Sequence, residues 1–220
     1  AKNTASALLS AAGIEREFSP EVMGEAEWHA LLGIPESEKE GRLDLREHPI
    51  FTIDSAESKD LDDAVELSFD GKEWTLGVHI ADVSHYVRTG SLLDEEALRR
   101  GTSIYYADQV VPMLPPALSN GICSLNPGEE RLAFSCIMTL DREGRLLDFD
   151  FKKSVIRSRV KGVYSEVNRL LTGEEDAALK KKYADVLAQL PLMKKLSGLR
   201  KTLRAGRGVP EIESSECKLI

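Results

Sequence analysis

A mixed α/β fold of the α+β kind, a largely antiparallel twisted sheet with helices around it, is what this sequence predicts. Three observations predict it. From His48 onward apolar residues alternate at period two in several short runs, turn residues join neighbouring runs, and helix-period segments with capping residues flank them.

Taken in order, Thr4 to Leu32 is helical: TASALLSAAGIEREF, then PEVMGEAEWHALLG with Ser19 as N-cap and Pro20 at the first helical position, ending near Gly33. PESEKEGRLDLRE reads as a polar surface connector, so residues 1–40 form a helical lead-in rather than a separate core. PIFTID, AVELSF and EWTLGVHIA are strands. Asp70-Gly71 as a two-residue type I′ turn pairs Phe69 with Lys72, Asp63 with Val78 and Asp62 with His79. SLLDEEALRRG is a helix closing at Gly101, and PPALSNG a short helical turn. RLAFSCIMTLD and RLLDFDFKKSVIRSRV, joined at Arg142-Glu143-Gly144, form a longer hairpin. YSEVNRLLTGEE and DAALKKKYADVLAQLPLMKKLSGLRKTLRAGRG are helical, Pro191 breaking or kinking the second, and EIESSECKLI alternates again as a strand at the chain's end. Trp28, Trp74 and VVPMLPPAL are assigned to core or scaffold.

No apolar run is long enough to span a membrane and no signal-peptide pattern opens the chain, which points to a soluble, intracellular protein, by default cytoplasmic. Cys123, Cys136 and Cys217 are widely spaced and odd in number, so they are read as reduced, structural thiols. The net charge of -8 argues against a general nucleic-acid-binding surface, but it is unevenly spread. Residues 1–151 carry 29 acidic and 13 basic side chains, whereas residues 152–207 carry 5 and 15. Taken alone, that basic run is most simply a solvated helix face.

FTIDSAESKDLDDAV gathers Asp54, Asp60, Asp62 and Asp63 within ten residues. Carboxylates so close repel one another unless a cation, a basic side chain or water offsets their charge. A polar turn is the plain alternative, since Asp favours turns. Here, however, Asp54 ends one apolar run and Asp60 to Asp63 lead into the next, so two strand ends can aim carboxylates at one spot. Oxygen ligands select hard cations such as Mg²⁺ or Mn²⁺, and the calcium-loop template fails because Val65 and Gly71 stand where it needs glycine and glutamate. Metal-assisted phosphoryl chemistry is the better fit. In HIADVSH, His79, Asp82 and His85 are read as structural, with His79 supporting Asp62 across the hairpin.

GRLDLREHPIFTIDSAESKDLDDAV is followed by VHIADVSHYV, RGTSIYYADQVVPMLP and LSNGICSLNPGEERLAFSCIMTLD. Together these motifs resemble the catalytic (RNB) domain of the ribonuclease II and ribonuclease R family, over residues 41–220. The resemblance implies the N-terminal part of a truncated RNB-type domain. Its expected function is processive, Mg²⁺-assisted hydrolysis of single-stranded RNA from 3′ ends to 5′-nucleoside monophosphates. Asp54, Asp60, Asp62 and Asp63 match the family's active-site aspartates, with Asp54 and Asp63 the implied metal ligands and Asp62 the residue hydrolysis needs most. Tyr105, or its neighbour Tyr106, matches the tyrosine that stacks near the terminal bases. The family's downstream arginine motif and its flanking oligonucleotide-binding barrels have no counterpart in these residues, so the isolated chain is expected to have little activity. A non-catalytic RNA-binding or regulatory relative is the alternative.

Overall fold

The computed structural model describes residues 2–106 and 109–209 of the chain. In chain order the elements are α1 (Lys2–Ala11), α2 (Pro20–Leu32), α3 (Glu36–Lys39), β1 (Leu43–Leu45), β2 (Thr52–Asp54), β3 (Asp63–Phe69), β4 (Trp74–Ala81), α4 (Val83–Tyr86) and α5 (Leu92–Arg100). There follow β5 (Ile104–Tyr106), β6 (Gln109–Val111), a π-type turn (Ala117–Ile122), β7 (Glu130–Leu140), β8 (Leu146–Arg157), β9 (Lys161–Val163), α6 (Tyr164–Leu171), α7 (Ala177–Lys182) and α8 (Gln189–Gly206). The backbone groups into two units, residues 2–33 with 83–122 and residues 34–82 with 123–209. The helical lead-in expected over residues 1–40 is thus shared between them. The terminal EIESSECKLI, with Cys217, lies outside the described residues.

In the first unit local chemistry sets the helix ends. Ser19 caps α2 by accepting from the Val22 N–H at 3.3 Å, and Ser91 caps α5 by accepting from Asp94 at 3.2 Å. Gly101 closes α5 in the left-handed region (φ 74°), where a side chain would be strained. Glu25 accepts from the Leu93 N–H at 3.2 Å, and the Arg100 guanidinium lies 3.8 Å over the Phe18 ring. Trp28 departs from expectation: it is 58% exposed rather than part of the core.

The second unit is built on a five-stranded sheet, order β1-β8-β7-β4-β3, antiparallel except where β1 runs parallel to β8. A second parallel pair joins β2 to β9. This is the expected mixed class, but the connector read as irregular holds α3 and strand β1.

The first hairpin differs in register from the sequence expectation. Asp70 accepts from the backbone N–H groups of Lys72 and Glu73, both at 2.8 Å, while its own N–H donates to Glu73 O at 3.2 Å. The loop therefore spans Asp70 to Glu73, and Phe69 pairs with Trp74 rather than Lys72. Asp63 consequently faces Ile80, not Val78, and Ala64, not Asp62, faces His79. A shift of two residues preserves the faces of the sheet, so the expected side-chain alternation survives.

Two apolar clusters hold this unit. Phe51, Val160, Val167, Leu179, Tyr183, Val186 and Leu190 form one, and Leu67, Trp74, Leu140 and Leu196 the other. Helix α8 contributes to both, and Pro191 sits inside its first turn, where a missing N–H costs nothing. Pro191 therefore begins this helix rather than breaking it.

The buried Gln189 side chain serves the outer strand: its Oε1 accepts from Leu67 N at 2.7 Å and its Nε2 donates to Pro49 O at 2.7 Å. Gln189→Leu would strand both backbone groups. It is expected to cost about 1–3 kcal/mol, read as a lower urea midpoint with unchanged slope.

Candidate metal centre

Asp54 is the last residue of β2 and Asp63 the first of β3. The two strands are tied where Phe51 and Val65 exchange backbone hydrogen bonds of 3.1 and 2.8 Å, with the Phe51 ring fully buried beneath. Two strand ends thus meet on a rigid support, as the apolar run before Asp54 predicts.

The intervening loop is held by two side chains from far along the chain. Lys161, on β9, donates to Ala56 O at 3.0 Å and Ser58 O at 2.5 Å. Ser124, fully buried, accepts from the Leu61 N–H at 3.0 Å and donates to Lys59 O at 2.8 Å. Leu125 N donates to Leu61 O at 2.9 Å and Ala81 N to Asp62 O at 2.9 Å, so buried Leu61 anchors the end of the loop. Sequence reasoning missed both Lys161 and Ser124. Ser124 lay inside the family-like motif LSNGICSLNPGEE, and Lys161 was counted only as part of a basic run.

The carboxylates feel one another. Burial, then the charge of Asp63, raises the Asp54 pKa above the usual carboxylate range, with Lys161 opposing. The Asp62 carboxyl is raised by the protein packed around it and by the charges of Asp60, Asp63 and Asp54. Asp54 Oδ2 and Thr52 Oγ1, both on one side of β2, are buried with no well-formed hydrogen bond, although the Thr52 hydroxyl is near enough to ease the Asp54 charge. A buried carboxylate oxygen left in this way is costly unless a cation meets it.

Among the described residues no group of three or more His, Cys, Asp or Glu side chains converges as a closed metal cage. The donor set nonetheless suits Mg²⁺ or Mn²⁺, because Mg²⁺ uses one or two carboxylates and fills the rest of its octahedron with water and substrate phosphate oxygens. Asp54 and Asp63, on the two adjoining strand ends, are the carboxylates that could supply such a pair.

The histidines stand apart from this arrangement. His79 Nδ1 lies 2.7 Å from Ser135 Oγ, which lies 2.7 Å from Ser154 Oγ, while Nε2 is 3.6 Å from Glu66. His79 thus belongs to a buried polar chain and does not support Asp62 as the shorter turn implied. Burial alone would raise the Glu66 pKa, and the rings of His79 and His48 outweigh it and hold the carboxyl low. The strand ends at Ala81, and the buried Asp82 pairs with Arg42 at 2.7 Å. Burial pushes the Cys123 thiol up to about 12, which keeps it inert.

Tyr105 lies in the first unit, on β5 opposite Val110, and is 68% exposed. The side chain of Tyr106 lies outside the described residues.

A family model described as the RNB domain matches residues 42–220. Ribonuclease R 1 of Lactococcus lactis is 44% identical over 214 residues, 97% of this chain and 26% of its own length. Ribonuclease R of Escherichia coli is 44% identical over 188 residues, 85% of this chain and 23% of its own. A solved structure, Mycoplasma genitalium RNase R in complex with ribose-methylated single-stranded RNA, superimposes with TM-score 0.90 at 31% identity, covering 99% of this chain and 33% of that one. The chain therefore spans about a quarter of the length of these curated relatives.

Proposed function

Because the chain belongs to the RNB-domain family, we propose that it is the metal-holding part of a ribonuclease R-like, cytoplasmic 3′→5′ exoribonuclease that hydrolyses single-stranded RNA to 5′-nucleoside monophosphates. The observation that carries the reading is the pair of strand ends bearing Asp54 and Asp63, with a buried carboxylate oxygen left unmet beside Asp60 and Asp62.

In this reading Asp54 and Asp63 would hold Mg²⁺, or Mn²⁺ in its place. Bound there, the cation supplies polarisation of the scissile phosphodiester and a more acidic water. In the same reading the Asp62 carboxylate, beside these strand ends, takes the proton of the attacking water. Asp60 adds negative charge that favours the cation. Lys161 and Ser124 keep the loop between the ligands at fixed length. Tyr105 offers an exposed ring on which a 3′-terminal base can stack, a contact indifferent to sequence and so suited to a degrading enzyme. Flanking oligonucleotide-binding modules, as the family implies, would supply much of the remaining phosphate neutralisation.

The metal assignment is tested by thermal unfolding of the 220-residue chain in Mn²⁺. Raised carboxyl pKa values mean that the stability these groups contribute is full below their unfolded values and lost as pH rises through the folded ones. At neutral pH a bound dication should restore it, raising Tm by about 5–10 °C at a hundred times Kd. Asp54→Ala combined with Asp63→Ala should abolish that rise. An equal rise in the double variant would refute the assignment.

A further inference from the structure

Helix α8 has no acidic residue, yet Lys194, Lys195, Arg200, Lys201 and Arg204 along it are all exposed, and exposed Arg207 follows. Its opposite side is fixed: Leu190 and Leu196 are buried, with Leu192, Met193 and Leu199 packed beside them. The cations are therefore held in set directions. Lys194 and Lys201 are seven residues apart, two helical turns, and Arg204 follows three further on, so these three share the outward face.

Within the described residues, carboxylate pairing separates this ridge from most other cations of the same basic stretch, Lys161 and Lys181 excepted. Arg169 meets Glu174 at 2.6 Å and Asp176 at 2.8 Å, Lys182 meets Glu166 at 2.5 Å, and Arg157 meets Glu130 at 2.9 Å. Among the described residues no carboxylate pairs with Lys194, Lys195, Lys201, Arg204 or Arg207, although the chain has 37 acidic side chains against 29 basic. Arg200 donates to Gly144 O at 3.0 Å, and Lys195 lies 5.4 Å over the Phe69 ring. The helix dipole accounts for cations in the last turn only, near Arg204 and Arg207, and leaves Lys194 and Lys201 unexplained. Cations three and four positions apart, as Arg200, Lys201 and Arg204 are, repel one another, and an anionic partner removes that penalty.

We propose that the outward face of α8, carried by Lys194, Lys201 and Arg204, is a binding surface for the phosphate backbone of RNA, separate from the acidic centre. From Lys194 to Arg204 the helix rises about 15 Å, several phosphate repeats of a strand. The contact reads charge rather than base, so it is indifferent to sequence. The assignment of RNA as the polyanion rests on the function proposed above.

The test is fluorescence anisotropy of a labelled single-stranded RNA with the 220-residue chain, in EDTA, over a series of salt concentrations. The triple variant Lys194→Gln, Lys201→Gln, Arg204→Gln keeps good helix formers on an exposed face. It should weaken binding at the lowest salt about tenfold or more. It should also flatten the plot of log K against log salt by about two, at roughly 0.7 per phosphate contact. Arg169→Gln with Lys182→Gln, which removes cations already paired, should change the slope little. An unchanged slope in the triple variant, or no RNA binding by the unaltered chain, would overturn the proposal. So would displacement by polyglutamate as effective as by unlabelled RNA, which would mark an acidic polypeptide as the partner. Loss of hydrolysis by Asp62→Asn in the longer protein tests the acidic centre independently, so either idea can fail while the other stands.

Discussion

Asp62→Asn, placed in a longer protein that contains this chain, is expected to slow release of mononucleotides from single-stranded RNA by about a hundredfold or more, the scale of losing a general base. RNA binding in EDTA should change little, because in the proposed mechanism Asp62 accepts a proton and makes no phosphate contact. The chain by itself is expected to release few or no mononucleotides with either residue at 62. Asparagine also takes away a carboxylate whose charge is disfavoured first by the protein packed around it and then by its acidic neighbours, so the metal-free chain should be no less stable at neutral pH. Wild-type turnover in the Asp62→Asn protein would remove Asp62 from the chemistry.

The second large effect concerns stability. Arg42 and Asp82 form an ion pair of 2.7 Å with side chains only 6% and 3% exposed. The Arg42 guanidinium also donates to Glu38 O at 2.9 Å and Ser154 O at 3.4 Å, so one residue joins the connector, the β8 backbone and the end of β4. Arg42→Met would leave the Asp82 charge buried and poorly met, a cost of about 3–5 kcal/mol. Lys153, 3.9 Å from Asp82, offsets part of it. Urea denaturation should show the midpoint falling by a large fraction of its value. Arg42→Met with Asp82→Leu should recover most of the loss, since an apolar pair in place of a buried ion pair is often neutral. A loss under about 1 kcal/mol in the single variant would contradict this account.

What the sequence disclosed follows the range of the interactions. Ser19, Ser91 and Gly101 act on residues within a turn of themselves, and the helix ends they set were legible. The long hairpin from Glu130 to Arg157 was legible too, because alternation is a property of each strand alone. The first hairpin misled because Asp70 spends its carboxylate on the Lys72 and Glu73 N–H groups, a side-chain choice that Asp70-Gly71 by itself does not reveal. Strands β1 and β9 have three residues each, too few for a period, and the parallel partners of β1 and of β2, itself legible as PIFTID, lie about a hundred residues away. The aspartates stood out by crowding, whereas the side chains that set their loop carry no mark. Ser124 is one serine in a polar motif until its hydroxyl is found between Leu61 N and Lys59 O.

That loop also has a timetable. Its hold by Lys161 links positions 105 residues apart, and its hold by Ser124 links positions 63 apart. At about 5–20 residues per second of synthesis, Asp54 to Asp63 leave the ribosome roughly 5–20 s before Lys161 does. For that interval the acidic stretch lacks the Lys161 brace and, until Ser124 emerges, the Ser124 brace as well. The newborn chain therefore exposes its aspartates well before their loop is fully braced, and fixing the spacing of these carboxylates is a late event in its maturation.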